Sequence, residues 1–338
     1  MPLAAVLGSP IAHSLSPVLH QAAYAELGLT SWTYAAYDVD RPHFAAFMAG
    51  CDAQVCGLSL TMPLKEVAFE VATWVSDDAK LTGAINTLVR RPGGWHGHNT
   101  DITGILEALR GPATDAAGSG VVAPGGGIRD ADSAGSATGG DPGAGPPLDA
   151  ERATSASPLD LGSRGLILGA GATARSALVA LAHLGVREVV VAARDPRTAQ
   201  ESLGDLASAL PVRLQVIPLR DWPRAGASVV VSTLPPAGAA DAAAVLARVR
   251  GGGPHVLDGG PQLLDGGPHV LDGVRLLDVV YANWPTPLAS AAIAAGAEVI
   301  SGLAMLVHQA VDQVELMTGQ RPSATVLRAA GQAALARR

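Results

Sequence analysis

The sequence predicts an α/β protein made of two domains with a cleft between them. Three observations predict it. Short apolar runs alternate with helical patterns from Leu3 to Leu88, a second alternation opens at Gly165 around a glycine-rich turn, and the chain has 338 residues. That length exceeds one core of ordinary size, about 100–200 residues. Strand and helix in alternation are the sequence form of a mostly parallel sheet covered by helices.

In chain order the first domain reads as "LAAVLG" (3–8), a helix from Pro17 to Leu27 closed by Gly28, "WTYAAYDV", and a helix over Arg41–Ala49. "VCGLSLT", a helical stretch from Leu64 to Val75 and "AINTLVR" follow. The loop before the first helix, "GSPIAHSLSP", holds two serines two residues apart. Ser16 reads as an N-cap, its hydroxyl accepting an orphaned backbone N–H, with Pro17 at the first helical position. In an extended approach Ser14 points the same way. With the positive end of the helix dipole the pair makes a small anion site, sized for a carboxylate. Both readings stand at this point.

Composition excludes several classes. The net charge is −7 and no basic run exists, which argues against nucleic acid as a partner. Cys51 and Cys56 have no companion pair and no His-x-His pattern beside them, so neither a zinc site nor a disulfide framework is expected. The first residues, "MPLAAVLGSP", lack a basic stretch before the apolar ones, and no long apolar run follows. A cytoplasmic protein with no membrane partner and no metal is the expectation.

Two segments break the pattern. Residues 111–160 are dominated by Gly, Ala, Ser, Pro and Asp, too little apolar surface to offset ordering entropy, and read as a disordered insertion. Residues 252–272 hold three copies of a seven-residue unit, "GGPHVLD", "GGPQLLD", "GGPHVLD". Gly-Gly-Pro in every unit forbids a coiled coil. A surface loop or strand-edge expansion is expected, with His255 and His269 in solvent.

The second domain opens with "GLILGAGATARSALVALAHLGVREVVVAARDP" (165–196). A buried strand runs into Gly169-Ala170-Gly171-Ala172-Thr173-Ala174, a helix runs to about Leu184, Gly185 closes it, and "EVVVAAR" forms the next strand. A G-x-G-x-x-A turn inside a strand–helix–strand unit is a Rossmann-like dinucleotide-binding signature. Gly169 serves the tight turn, Gly171 lets a pyrophosphate approach the backbone, and Ala174 allows close helix packing. At the tip of the second strand an NAD enzyme carries an acid; here Arg194 follows Ala193, and a guanidinium suits the 2′-phosphate of NADP. Asp195 reads as a turn residue before Pro196, and Arg197 restores positive charge. "VVVSTLPPAG" (229–238) is a further strand opening into a turn at Thr233. Gly302 completes the expected cofactor set.

Chemistry-bearing residues cluster in the first domain. "GLSLTMPLKE" sets Thr61 and Lys65 just past a strand, "GAINTL" adds Asn86 and "GHNTDITG" adds Asp101. Singly, Lys65 is a solvated first-turn residue, Asn86 a turn residue and Asp101 an N-cap. Jointly they fit hydride exchange between NADP and an alcohol, which needs a proton donor or acceptor at the same oxygen; a lysine held beside a carboxylate supplies it.

At these residues the chain resembles the shikimate dehydrogenase family. The match covers "GSPIAHSLSP", "LTMPLKE", "GAINTL", "NTD", "GAGATA", "DVVYANWPTPL" and "GLAMLVHQA". The resemblance implies reversible NADP-dependent reduction of 3-dehydroshikimate to shikimate by a monomer or homodimer, with Lys65 and Asp101 as the catalytic pair. It implies Ser14 and Ser16 as ligands of the substrate carboxylate, with capping secondary. Thr61, Lys65, Asn86, Asp101 and Gln309 would surround the ring hydroxyls, and Tyr281 would be a further contact. It makes residues 1–108, completed by helices in 303–338, the substrate domain, and 161–302 the NADP-binding domain. Two departures stand out: Ser59 where Asn is common, and Ala172 where Gly is common. The alternatives are a quinate or aminoshikimate dehydrogenase and a non-catalytic NADP-binding sensor, which has no use for a proton-transfer pair. Methylenetetrahydrofolate dehydrogenases share the two-domain plan but give the two serines no task.

Overall fold

The computed structural model describes residues 1–112, 162–250 and 270–338. The expectations for the Gly-rich insertion and for most of the seven-residue repeats, His255 and His269 included, lie outside these residues. The end of the last repeat is described, with Asp272 exposed and the residue before it turned inward. Leu271 is buried in the core and its N–H donates to Ala295 O at 3.0 Å.

The first sheet is built from β1 (Leu3–Gly8), β2 (Thr33–Asp38), β3 (Val55–Leu60), β4 (Ala72–Val75), β5 (Thr87–Arg91) and β6 (Gly94–His98), in the order β2-β1-β3-β5-β6-β4. Its early helices are α1 (Ser16–Glu26), α2 (Arg41–Ala49) and α3 (Asp77–Thr82), and α4 (Asp101–Arg110) follows the sheet. β1 pairs in parallel with β2 and β3, whereas β5 runs antiparallel to β3 and β6, so the sheet is mixed. The reversal is local: Gly93 and Gly94 both take positive φ between β5 and β6, a conformation that glycine adopts without steric cost in a hairpin.

The expected helix over Leu64–Val75 does not form. Val67–Glu70 makes a single 3₁₀ turn and Ala72–Val75 is an edge strand, in keeping with the strand preference of Val71, Thr73, Trp74 and Val75. The next helix, α3, carries a start and a stop in its sequence. Ser76 Oγ accepts from the Ala79 N–H, Asp77 and Asp78 fill the first turn, and Gly83 closes it in the left-handed conformation.

Alternate residues of the first sheet face opposite cores. Ala5, Leu7, Leu58 and Leu60 pack against Phe44 and Met48 of α2. Ala4, Val6, Tyr34 and Val89 pack against α1 and the last two helices, α9 (Gly302–Thr318) and α10 (Ala324–Leu335), through Leu19, Val307, Val314 and Leu327. The carboxyl-terminal helices thus return to the first sheet.

The second sheet comprises β7 (Arg164–Leu168), β8 (Glu188–Ala193), β9 (Arg213–Pro218), β10 (Val229–Ser232), β11 (Arg275–Asp278) and β12 (Glu298–Ser301). Every pairing is parallel, in the order β12-β11-β10-β7-β8-β9. The strand tips therefore all open on one edge. Helices α5 (Ala172–His183) and α6 (Pro196–Ser208) cover one face with α4, and α7 (Pro236–Arg250) and α8 (Pro287–Ala294) cover the other. Strand order reverses between β7 and β10. In such sheets the crevice at that switch point takes the ligand, and Gly169 and Thr233 follow those two strands.

Candidate active site

Lys65 lies in the turn after β3. Leu64 beside it is fully buried, and Lys65 O accepts the Ile85 N–H at 2.8 Å, so the turn is held to the strand entering β5. Asp101 is the first residue of α4, one place later than the N-cap, which is Thr100. Its N–H donates to Asn99 Oδ1 at 2.9 Å.

These two side chains meet. Lys65 Nζ donates to Asp101 Oδ2 at 2.6 Å, with the lysine side chain 12% and the aspartate 1% exposed. Asp101 Oδ1 accepts from Asn86 Nδ2 at 2.7 Å and from Gln309 Nε2. Three donors therefore surround one buried carboxylate, the condition under which a buried charge is tolerated. Asn86 is itself fixed, its Oδ1 accepting from the Thr100 N–H at 2.8 Å and from Thr87 Oγ1 at 2.9 Å.

A cavity of about 260 Å³ opens beside the pair. That is near the lower end of ligand pockets, about 300–1,000 Å³, and suits a small metabolite. Ser14, Ser16, Thr61, Asn86, Tyr281 and Gln309 line it together with Lys65 and Asp101. Burial pushes the Tyr281 phenol up from its ordinary value, partly offset by contacts with the Leu15 backbone and Ser14, so it faces the cavity as a neutral donor.

The reading of Ser16 as N-cap is corrected. The N-cap of α1 is Leu15, with no side-chain capping bond, and Ser16 and Pro17 both lie inside the helix. The approach is not extended either, because Leu15 already has near-helical dihedrals (φ −91°, ψ −5°). Ser14 Oγ accepts the Ser16 N–H at 3.3 Å and also meets the Tyr281 phenol at the wall of the cavity.

Sequence reasoning missed a polar floor beneath this site. Tyr34 Oη donates to Ser59 Oγ at 2.7 Å, Ser59 Oγ donates to Gln313 Oε1 at 2.9 Å, and Gln313 Nε2 donates to Thr87 Oγ1 at 3.3 Å. His20, fully buried and stacked on Tyr34 at 3.9 Å between ring centroids, sits 3.3 Å from Gln313 Oε1. Burial drives its pKa down to about 3, so the ring is neutral. Gln313 follows Gln309 by four residues on α9, a same-face spacing that was available in the sequence.

The glycine-rich turn fits a dinucleotide. Gly169 takes φ +103°, and a Cβ there would meet Thr233 Oγ1 at 2.7 Å. Around Gly171 a Cβ would meet nothing within 4 Å, and as N-cap of α5 it supplies no side-chain capping bond, so the helix N-terminus is open to an anion. Ala170 precedes it, Ala172 begins α5, and Ala174 is fully buried under the helix. Arg194 is exposed just past β8. Asp195 is committed elsewhere: it caps α6, accepting from the N–H groups of Arg197 and Thr198. Arg197 pairs with Glu201 at 3.0 Å on the surface. Thr233 Oγ1 donates to Leu168 O at 2.9 Å. Of the expected cofactor residues, Thr173 and Gly302 also line the cavity. Gly302 has no room for a side chain, since a Cβ would lie 2.1 Å from Val279 O.

Comparison with known proteins places the chain in a family. Residues 6–88 match the model of the shikimate dehydrogenase substrate binding domain, and residues 302–330 that of the shikimate 5′-dehydrogenase C-terminal domain. A shikimate dehydrogenase (NADP(+)) of Xylella fastidiosa is 35% identical over 206 residues, 60% of this chain and 57% of that protein's own length. The crystal structure of Mycobacterium tuberculosis shikimate dehydrogenase is 34% identical with a TM-score of 0.71, covering 99% of this chain and 100% of that one. A Thermus thermophilus shikimate 5-dehydrogenase, solved with NADP(H) and shikimate, is 27% identical with a TM-score of 0.67 and covers 99% of this chain and 100% of its own. With the Mycobacterium tuberculosis enzyme matched over its full length at 34% identity, the chain belongs to the shikimate dehydrogenase family.

Proposed function

We propose that this protein catalyses the reversible, NADP-dependent interconversion of 3-dehydroshikimate and shikimate. One observation carries the reading. The Lys65–Asp101 pair stands at the wall of a small cavity, with Thr173 of the dinucleotide turn 3.2 Å from Lys65 Nζ and with Ser14 and Ser16 in the same lining. The relative from Thermus thermophilus, solved with NADP(H) and shikimate, supports it.

In this reading residues 1–108 with 303–338 hold the substrate and 161–302 hold the cofactor. Gly169, Ala170, Gly171, Ala172, Thr173 and Ala174 would cradle the pyrophosphate, Arg194 with Arg197 nearby would take the 2′-phosphate, and Thr233 and Gly302 would shape the crevice. When bound, NADP(H) gives or accepts the hydride. The chain's own residues do the rest. Ser14 and Ser16, with the N-terminus of α1, hold the substrate carboxylate. Lys65, as an ammonium, stabilises negative charge growing on the ring oxygen and gives it a proton; in the oxidative direction the amine takes the proton back. Asp101 keeps that amine in place and accepts from a ring hydroxyl, while Asn86, Gln309, Thr61 and Tyr281 fix the orientation of the ring. The same reading puts the enzyme in the cytoplasm, as a monomer or homodimer.

The test is a spectrophotometric assay of purified protein with shikimate or quinate and NADP⁺ or NAD⁺ in all four combinations. Turnover fastest with shikimate and NADP⁺ is expected. Absence of turnover with shikimate, or clear preference for quinate, would contradict the reading.

A further inference from the structure

Arg175 lies on α5, two residues beyond Thr173, yet its side chain crosses to the other half of the molecule. Nη2 pairs with Glu66 Oε1 at 2.7 Å and bonds Gly83 O at 3.2 Å; Nε donates to Thr82 O at 2.5 Å. Thr82 and Gly83 carry the carbonyls left open at the end of α3, acceptors that a guanidinium fork suits. Nη1 reaches Ser202 Oγ at 3.5 Å, and Ser202 Oγ donates to Ala170 O at 2.9 Å. The Arg175 side chain is only 15% exposed.

Each of its partners adjoins the site. Glu66 follows Lys65. Thr82 and Gly83 precede the segment that carries Ile85, whose N–H holds Lys65 O, and Asn86, which holds Asp101. Ala170 belongs to the glycine-rich turn. A second strap runs alongside, with Asn99 Nδ2 donating to Ser176 Oγ at 3.0 Å and the Asn99 backbone leading directly into Thr100 and Asp101.

We propose that Arg175 is a positioning residue for the hydride and proton step, one that holds the Lys65 turn and the dinucleotide turn at a fixed separation. This inference rests on the function proposed above. Arg175 touches none of the residues that line the cavity except through Glu66 and the 82–86 segment, so it serves the alignment of the two ligands rather than the binding of either.

The experiment compares wild type with Arg175→Ala and Arg175→Lys. In Arg175→Ala kcat falls by about 100-fold, the cost typical of misplacing reactants by about 1 Å. Dissociation constants of shikimate and of NADP⁺, each measured in its binary complex, move by less than about threefold. In the ligand-free protein, hydrogen exchange at the Ile85 amide quickens by about tenfold or more. Arg175→Lys keeps the charge facing Glu66 but not the fork, folds with the same helix, and loses about tenfold in kcat. Wild-type kcat in both variants, an unchanged Ile85 amide, or parallel loss of kcat and both binary affinities would overturn the inference. If wild type itself failed to turn over shikimate with NADP⁺, the proposed function would fall, and this inference with it.

Discussion

Lys65 Nζ and Thr173 Oγ1 meet at 3.2 Å, the first from the turn after β3 and the second from the opening turn of α5. Elements built on separate sheets are thereby brought to one point. The same amine holds Asp101 at 2.6 Å. A buried amine is thus fixed next to a helix N-terminus that carries no side-chain cap.

Gly171 has an ordinary backbone, φ −85°, and open space around its missing Cβ. Gly171→Ala should leave thermal stability unchanged or raise it by about 0.4–1 kcal/mol, through a less flexible unfolded chain. The added methyl would stand where a pyrophosphate approaches. NADPH affinity, read by fluorescence titration, should fall by about tenfold or more, equivalent to about 1.4 kcal/mol.

Arg194 is exposed, while Asp195 beside it is engaged as the cap of α6. Loss of a charge-assisted bond is worth about 1.5–3 kcal/mol. Arg194→Ala should therefore raise KM for NADP⁺ by about 10–100-fold and leave KM for NAD⁺ nearly unchanged. Asp195→Ala should lower the thermal unfolding temperature as a lost cap, and leave the ratio of kcat/KM for the two cofactors as it was.

His20 couples the polar floor to pH. Its pKa is about 3 in the folded protein because burial disfavours the charged ring, against an ordinary value near 6.5. Below pH 6.5 the unfolded chain gains a proton that the folded protein refuses, so this contribution to stability is complete above pH 6.5 and is lost progressively toward pH 3. At about pH 5 the loss is roughly 2 kcal/mol. Denaturant titrations from pH 8 to 5 should show it. His20→Phe keeps the stack on Tyr34 and should flatten that acid slope.

Much of this was legible in the sequence, for identifiable reasons. Continuous apolar runs and glycine stops mark strands and helix ends wherever both faces of a strand are buried, as in β7 with Leu166 and Leu168 on one side and Ile167 on the other. The stretch from Leu64 to Val75 misled, because Leu64 and Val67 have helical spacing but belong to a turn packed under the sheet. Ser16 misled because a proline after a serine suits a cap, whereas Leu15 had already entered helical space. Lys65, Asp101 and the glycine turn were readable as motifs. Their support was not: Tyr34, Ser59, His20 and Gln313 come from β2, β3, α1 and α9, and only the packing of α9 on the first sheet brings them together. Arg175 was hidden the same way, its purpose lying across the cleft.

In the proposed reaction Lys65 carries the proton for a hydride exchange and does little to bind substrate. The most direct measurement is kcat and KM for shikimate with NADP⁺ in wild type and Lys65→Ala, with thermal unfolding as a check on folding, since Asp101 keeps its donors Asn86 and Gln309. A fall in kcat of about 100–10,000-fold is expected, the usual worth of a positioned acid or base, with KM within about threefold. Turnover within about tenfold of wild type, or a defect confined to KM, would contradict it.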